Sequence, residues 1–382
     1  MASLNQGALA NIRTVLQSHI DNGRIPGAIA VVARGGEVAM FDALGKQDAA
    51  AGTAMKEDAI FRIYSMTKPL VSLAALMLSE EGLLPLGDPV SKYLPEFARQ
   101  QVSVQEGGAV RLESVRRPAT VQDLLRHTAG FTYEFLGTNP VQRQYEDADL
   151  ANRSRSNREF CKVLAALPLV HQPGTYWHYG RATDVLGAVL EVVSGQTLGE
   201  LLRRRIFDPL GMKDTAFDVP NNQWHRIAEP FALDPDSGRP VEMMGAREVP
   251  AFESGGGGLM STAGDYIRFL QLMRNRGTFE SARLVSRTTI DWMTSDHLGS
   301  IAPDGDLLLP GYGFGLGFAV RTHAGLAPQP GSVGQYFWSG IGGTSFFVDP
   351  AEDLFAMLLT QAPNQRIFFR NLFRQLVYAA VD

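Results

Sequence analysis

The chain has 382 residues with 35 basic and 40 acidic side chains, a formal net charge of −5 and a pI near 5.9. That length can bury a full core and excludes a disulfide-stapled miniprotein, and the 45% apolar composition excludes disordered and collagen-like classes. Mild acidity argues against a nucleic-acid partner, and among the basic residues only Lys46, Lys56, Lys68, Lys92, Lys162 and Lys213 are lysines.

The N-terminal stretch MASLNQGALANIRTVLQ lacks the basic start and unbroken apolar run of a secretory signal. Its Leu9, Ile12, Leu16 and Ile20 recur at helical spacing and predict an amphipathic first helix. AIAVVA and EVAMFDAL then flank Gly35-Gly36, a dipeptide suited to the positive backbone angles of a tight hairpin. Next comes Leu70 to Leu78, apolar almost all round, as a central buried helix should be. Thr120 and Asp123 suggest a capping box ahead of Leu124 and Leu125, and Asp184 to Val193 and Thr197 to Ile206 are further helical runs.

Residues 99–118 and 133–160 are polar, Arg-rich and weakly periodic, and are expected to be surface excursions or a lid. Gly255 to Gly258 is expected to be a flexible corner bordering a cleft; with no GK[ST] after it, it is not a phosphate loop. FGLGFAV, QYFW, TSFFVD and LFAMLLTQ read as consecutive strands, followed by a helix from about Asn364 to Ala380. In the first of these and the residues before it, Gly311, Gly313, Gly315 and Gly317 leave one face bare, so something should pack close to the backbone. Strands at both chain ends with helices between them predict an α/β fold. Its antiparallel sheet and flanking helices use residues 1–75 and 240–382, with a mostly helical subdomain over 76–239, the whole forming one catalytic unit.

No run approaches the roughly 18 apolar residues of a membrane span. The expectation is a soluble, cytoplasmic protein, monomeric or homodimeric, acting on a small molecule with neither nucleic acid nor membrane as partner. Cys161, the only cysteine, lies in the apolar run CKVLAAL and reads as a core residue rather than a nucleophile. The histidines contain no HExxH, and His171 and His178, the closest pair, are not at metal-ligand spacing, so neither metal nor cofactor is expected. His127 is expected to make a structural hydrogen bond, and His178 to point away from its neighbour Tyr179.

Ser65-Met66-Thr67-Lys68 leads directly into the buried helix. A serine hydroxyl is a weak nucleophile until a base takes its proton, and a lysine one turn away serves if burial keeps it neutral. No GxSxG has serine at its centre, so an α/β-hydrolase nucleophile elbow is unsupported.

FRIYSMTKPLVSLAALML, LLRHTAGF, PGTYWHYGRATDVLG, FDPLGMKDT, GGGGLMSTAGDYIRFLQLM and WSGIGGTSFFVDP, in this order, resemble the family VIII carboxylesterases, relatives of class C β-lactamases and penicillin-binding proteins. The resemblance covers nearly the whole chain and implies a β-lactamase/transpeptidase-like fold with Ser65 as nucleophile and Lys68 and Tyr179 sharing its proton. A phenol held near a lysinium can lose or share its proton well below its free value, which makes Tyr179 a candidate general base and later acid. Arg181 stands where the β-lactamase motif has asparagine, and is expected at a surface or helix end.

The third motif of the β-lactamases, a KTG strand, is matched by Trp338-Ser339-Gly340, which lacks the cation that would anchor a carboxylate. The resemblance places the Ile341 N–H with that of Ser65 in an oxyanion hole, Gly340 allowing the close approach. The implied activity is cleavage of carboxylic esters, with short acyl chains favoured, through a covalent acyl-enzyme on Ser65. The alternatives are a β-lactamase or D-amino-acid peptidase, an acyltransferase, or a non-catalytic ligand-binding module.

Overall fold

The computed structural model describes residues 4–106 and 109–382; part of the polar stretch 99–118 therefore lies outside the described residues. The first helix spans Gln6–Asp21, capped by the Asn5 side chain on the Ala8 N–H, with Leu9, Ile12 and Leu16 buried. Strands Gly27–Arg34 and Glu37–Asp48 follow, joined by Gly35 and Gly36 at φ 64° and 88°. These angles cost glycine little and give the turn whose twist matches the strands.

Eight antiparallel strands form the main sheet. Their spatial order is Tyr312–Phe314, Ala319–Arg321, Tyr336–Ser339, Ser345–Asp349, Leu354–Leu359, Gly27–Arg34, Glu37–Asp48 and Thr53–Ala54. The two chain ends meet in its middle, where Ile29 pairs with Leu359 and Arg34 with Leu354. Gly27–Ala33 and Leu354–Leu359 are buried along their whole length, as strands covered on both faces must be. Helices Gln6–Asp21 and Arg366–Tyr378 pack on each other and on the sheet, and helix Ala263–Arg274 packs against Leu354–Leu359. None of the eight strands lies between residues 76 and 239, yet one continuous apolar core runs through both groups of elements. No single helix among the described residues is long and apolar enough to cross a membrane.

FGLGFAV is not one strand. Tyr312–Phe314 and Ala319–Arg321 are separate strands, joined by a turn in which Gly317 adopts φ 104°. The close approach expected of its glycines does occur: a Cβ on Gly317 would lie 2.6 Å from Ser72 Oγ and 2.9 Å from Ser72 Cβ, on helix Thr67–Glu80. Gly317→Ala therefore combines a positive-φ penalty with overpacking, and should lower unfolding free energy by about 2–4 kcal/mol. Gly23→Ala, at φ 70° with open space around it, should show only the smaller backbone part. Equal urea midpoints for the two variants would contradict this packing.

Candidate active site

Helix Thr67–Glu80 starts directly after a 3₁₀ turn, Tyr64–Met66, and every residue from Thr67 to Leu78 is buried. Tyr64 holds φ 45°, unusual for a non-glycine, and its hydroxyl accepts a hydrogen bond from the Met244 N–H at 2.8 Å. This sharp corner presents the half-buried Ser65 at the head of the helix. Lys68 one turn on is fully buried, and its Nζ reaches Ser65 Oγ at 3.1 Å, Tyr133 Oη at 3.0 Å and the Gly256 carbonyl at 2.6 Å.

Burial drives the Lys68 pKa down to about 7; the carboxylate of Asp184 opposes this fall and the Arg181 charge adds to it. The Gly256 carbonyl can only accept, so one N–H is committed there in either protonation state. In the neutral amine the lone pair is then free to take the Ser65 proton. Below pH 7 the ammonium fills all three contacts as donor and has nothing to accept with. Activity that needs the free amine should thus rise about tenfold per pH unit up to a plateau above an apparent pKa near 7 in kcat/KM. An acidic limb near pH 4 to 5 would instead assign the base to a carboxylate.

Tyr179 donates to Ser65 Oγ at 2.7 Å and accepts from Trp338 Nε1 at 3.3 Å. Its ring lies 4.6 Å below Lys68 Nζ, within a cage of Trp338, His127 and Tyr133 at 5.2, 4.9 and 5.3 Å between centroids. The expected drop in its pKa is not found. Burial pushes the phenol up, and its hydrogen bonds to Ser65 and Trp338 offset this only in part, so it stays protonated beside a neutral amine.

His127 is also not the hydrogen-bonded residue expected. Its side chain is buried with neither ring nitrogen partnered, and burial holds it well below the usual histidine range, so it acts as an aromatic wall. His178 does point away from the serine, to Asp304 and Thr132. Cys161 is buried in the core with its thiol pushed up, as its sequence context implies.

Trp338 is the penultimate residue of the strand Tyr336–Ser339, and the turn Gly340 to Gly343 packs on the residues preceding the nucleophile. Thr344 Oγ1 donates to the Ile63 carbonyl at 3.3 Å, and a Cβ on Gly340 would run into that same carbonyl. Only glycine lets this turn close on the Ile63 carbonyl just before the nucleophile. The Ile341 side chain stands at the rim, 37% exposed.

Three participants had no distinct sequence signal. Tyr133, in the stretch expected to be a surface excursion, is buried with its hydroxyl on Lys68. Gly255 to Gly258 is no exposed flexible corner: Gly255, Gly256 and Gly258 are buried, and a Cβ on Gly256 would meet the Asp184 carboxylate and Tyr133 Oη at 2.8 Å. Asp184 is fully buried in the first turn of helix Ala182–Ser194 and accepts from the Gly256 N–H at 2.9 Å and Ser254 Oγ at 2.5 Å, fixing the carbonyl that holds Lys68. Arg181 sits at the N-cap of that helix, but buried rather than on the surface. It pairs with Glu134, lies 3.5 Å from Asp184, and stacks 4.9 Å over the Tyr133 ring. Spacing alone could not flag residues whose deciding contacts, Tyr133 to Lys68 and Asp184 to Gly256, lie far apart along the chain.

An antiparallel sheet built from both chain ends, with a serine, a buried lysine and a tyrosine in one hydrogen-bonded group, defines a β-lactamase-fold serine hydrolase. The beta-lactamase family model matches residues 12–379, and the chain belongs to that family. It is 34% identical over 386 residues to esterase EstB of Burkholderia gladioli, covering 94% of this chain and 92% of EstB. Protein Rv1367c of Mycobacterium tuberculosis is 34% identical over 365 residues, 93% of this chain and 89% of that one. The solved structure of EstCE1, a hydrolase with promiscuous acyltransferase activity, superposes with a TM-score of 0.80 at 29% identity over 97% of this chain and 99% of its own. The family VIII type read from the motifs is thus upheld.

Proposed function

We propose that this protein is a carboxylesterase that cleaves neutral, short-chain esters through an acyl-enzyme on Ser65. The observation that carries the reading is the buried Lys68, tuned to about pH 7 and 3.1 Å from Ser65 Oγ. Lys68 takes the Ser65 proton as Oγ attacks the ester carbonyl, and the backbone N–H groups of Ser65 and Ile341 receive the developing oxyanion. Tyr179, kept protonated by burial, gives its proton to the departing alkoxide as the C–O bond breaks, which leaves a tyrosinate to take the proton of the incoming water and a protonated Lys68 to return its proton to Ser65 Oγ when the acyl group departs. Water then attacks the acyl carbonyl, with the same groups returning Ser65 to its starting state.

The ester preference rests on Trp338, whose indole N–H is turned onto Tyr179, and on the apolar rim of Ile341 and the exposed Phe135, stacked 4.8 Å from Tyr133. One observation favours the second reading, a β-lactam or D-peptide hydrolase: the Arg370 guanidinium reaches Ser339 Oγ at 2.5 Å, beside Trp338, and could meet a carboxylate. The acyltransferase reading differs only in the acceptor, and EstCE1 carries such an activity.

The deciding experiment measures kcat/KM for p-nitrophenyl acetate, p-nitrophenyl butyrate and nitrocefin, with product analysis in the presence of an added alcohol. Ester turnover at least about a hundredfold above nitrocefin, about 2.7 kcal/mol in transition-state binding, is expected, with free acid as main product. Equal efficiency on nitrocefin overturns the preference, and dominant transfer to the alcohol overturns hydrolysis.

A further inference from the structure

We infer that His171, His178 and Asp304 form a binding site for a divalent transition-metal ion, Zn²⁺ being the natural probe, next to the catalytic segment. His171 Nε2 and His178 Nδ1 both approach the same carboxylate oxygen, Asp304 Oδ2, at 2.7 and 2.8 Å, and the three ligand atoms lie within 4.8 Å of one another. Sequence spacing could not reveal this, because the carboxylate comes from a loop 126 residues beyond His178. The fold holds it there: Ala302–Pro303 pairs with Tyr176–Trp177, and the Asp304 N–H donates to the Trp177 carbonyl at 2.8 Å.

The contacts on the far side of His178 suit a metal-ligating imidazole. Its Nε2 lies 2.9 Å from Thr132 Oγ1, whose own proton has an acceptor in the Tyr133 carbonyl at 3.3 Å and which also receives Gln142 Nε2 at 3.3 Å. In the tautomer with its proton on Nε2, His178 donates to Thr132 and turns the Nδ1 lone pair toward Asp304. A metal ion between Nδ1 and the carboxylate would take the place of the proton that otherwise bridges them, and the Nε2–H to Thr132 bond is the outer contact that fixes a ligating imidazole.

Two imidazoles and one carboxylate suit Zn²⁺, with water completing the set. Access is open, since the Asp304 side chain is 46% exposed and His171 22%. Zn–ligand bonds of about 2.1 Å at tetrahedral angles separate ligand atoms by about 3.4 Å, so binding needs the Asp304 oxygen to move away from each imidazole by roughly half an ångström. Asp304, on an exposed segment, can make that move.

Occupancy would tie the Asp304 loop to the strand Tyr176–Trp177, two residues before Tyr179, and through Thr132 to the backbone of Tyr133. The site is therefore placed to stiffen both tyrosines that touch the Ser65 and Lys68 pair.

The test is titration of metal-stripped protein with Zn²⁺ by calorimetry, with Co²⁺ visible absorption as a second readout and thermal unfolding as a third. Expected are one ion per chain, a rise in Tm, the intense d–d bands of a tetrahedral Co²⁺ site, and at least tenfold weaker binding in His171→Ala and in Asp304→Ala. Wild type binding no more tightly than the double variant, or tight binding that neither substitution weakens, overturns the assignment. Both replaced residues lie outside the Ser65 group, so their ester turnover without metal should match wild type, which keeps failure of this site separate from failure of the esterase reading.

Discussion

Ser65→Ala should abolish ester turnover, with a loss of at least about 10³-fold in kcat/KM, in a protein that still folds. Oγ is the one atom that both Lys68 and Tyr179 reach, so removing it leaves the base and the acid with no nucleophile between them. Stability should change little. Ser65 is half-buried, Lys68 keeps its contacts to Tyr133 and the Gly256 carbonyl, and Tyr179 keeps the Trp338 N–H. The unfolding free energy should stay within about 1 kcal/mol of wild type, the net worth of one hydrogen bond. A fluorophosphonate should add one mass increment to wild type, mapped to the peptide containing Ser65, and none to the variant. Retained turnover in a cleanly prepared Ser65→Ala protein would remove the acyl-enzyme from consideration.

Lys68→Met should be as damaging to activity, by about 10²- to 10⁴-fold for loss of a positioned base, yet should not destabilise the fold. Lys68 is held in a space from which water is excluded, where an ammonium is costly to bury, and methionine fills a similar volume without that cost. The Tm should be equal or higher, a signature of stability given up for function. Lys68→Arg separates two roles that Lys68→Met merges. A guanidinium keeps the positive charge but cannot shed its proton near neutral pH. Activity lost in Lys68→Arg supports the base assignment; activity largely kept would mean that the lysine acts as a fixed charge and that the proton goes elsewhere.

The sheet and the central helices were legible because their patterns are local. Gly35-Gly36 between two alternating runs names its own hairpin, and a helix apolar from Leu70 to Leu78 has nowhere to lie but the core. Ser65 and Lys68 were legible for the same reason, being one turn apart. Tyr179 was found through the resemblance, since nothing local distinguishes it from Tyr176, which the structure leaves 44% exposed. What escaped is what long-range contacts decide. Asp184 reads as an ordinary acidic first turn until the glycine corner folds over it, and the corner looks mobile until Thr183, Asp184 and Phe217 are found filling the space its side chains would take. The direction of the Tyr179 shift also depends on enclosure, which a linear motif does not report.

The meeting of the chain ends in the centre of the sheet bears on how this molecule comes into being. Thr360 Oγ1 bonds the Gly27 carbonyl across 333 residues of chain, and Gly27–Arg34 has its partner on that side only in Leu354–Leu359. A ribosome adding about 5–20 residues per second therefore keeps the early hairpin waiting tens of seconds with one apolar edge unpaired. During that interval the nucleophile corner has no Gly340 turn to close against it, so hydrolytic competence should appear late and all at once. Shielding of the nascent hairpin edge, more than the pace of any single helix, should then govern the yield of active enzyme.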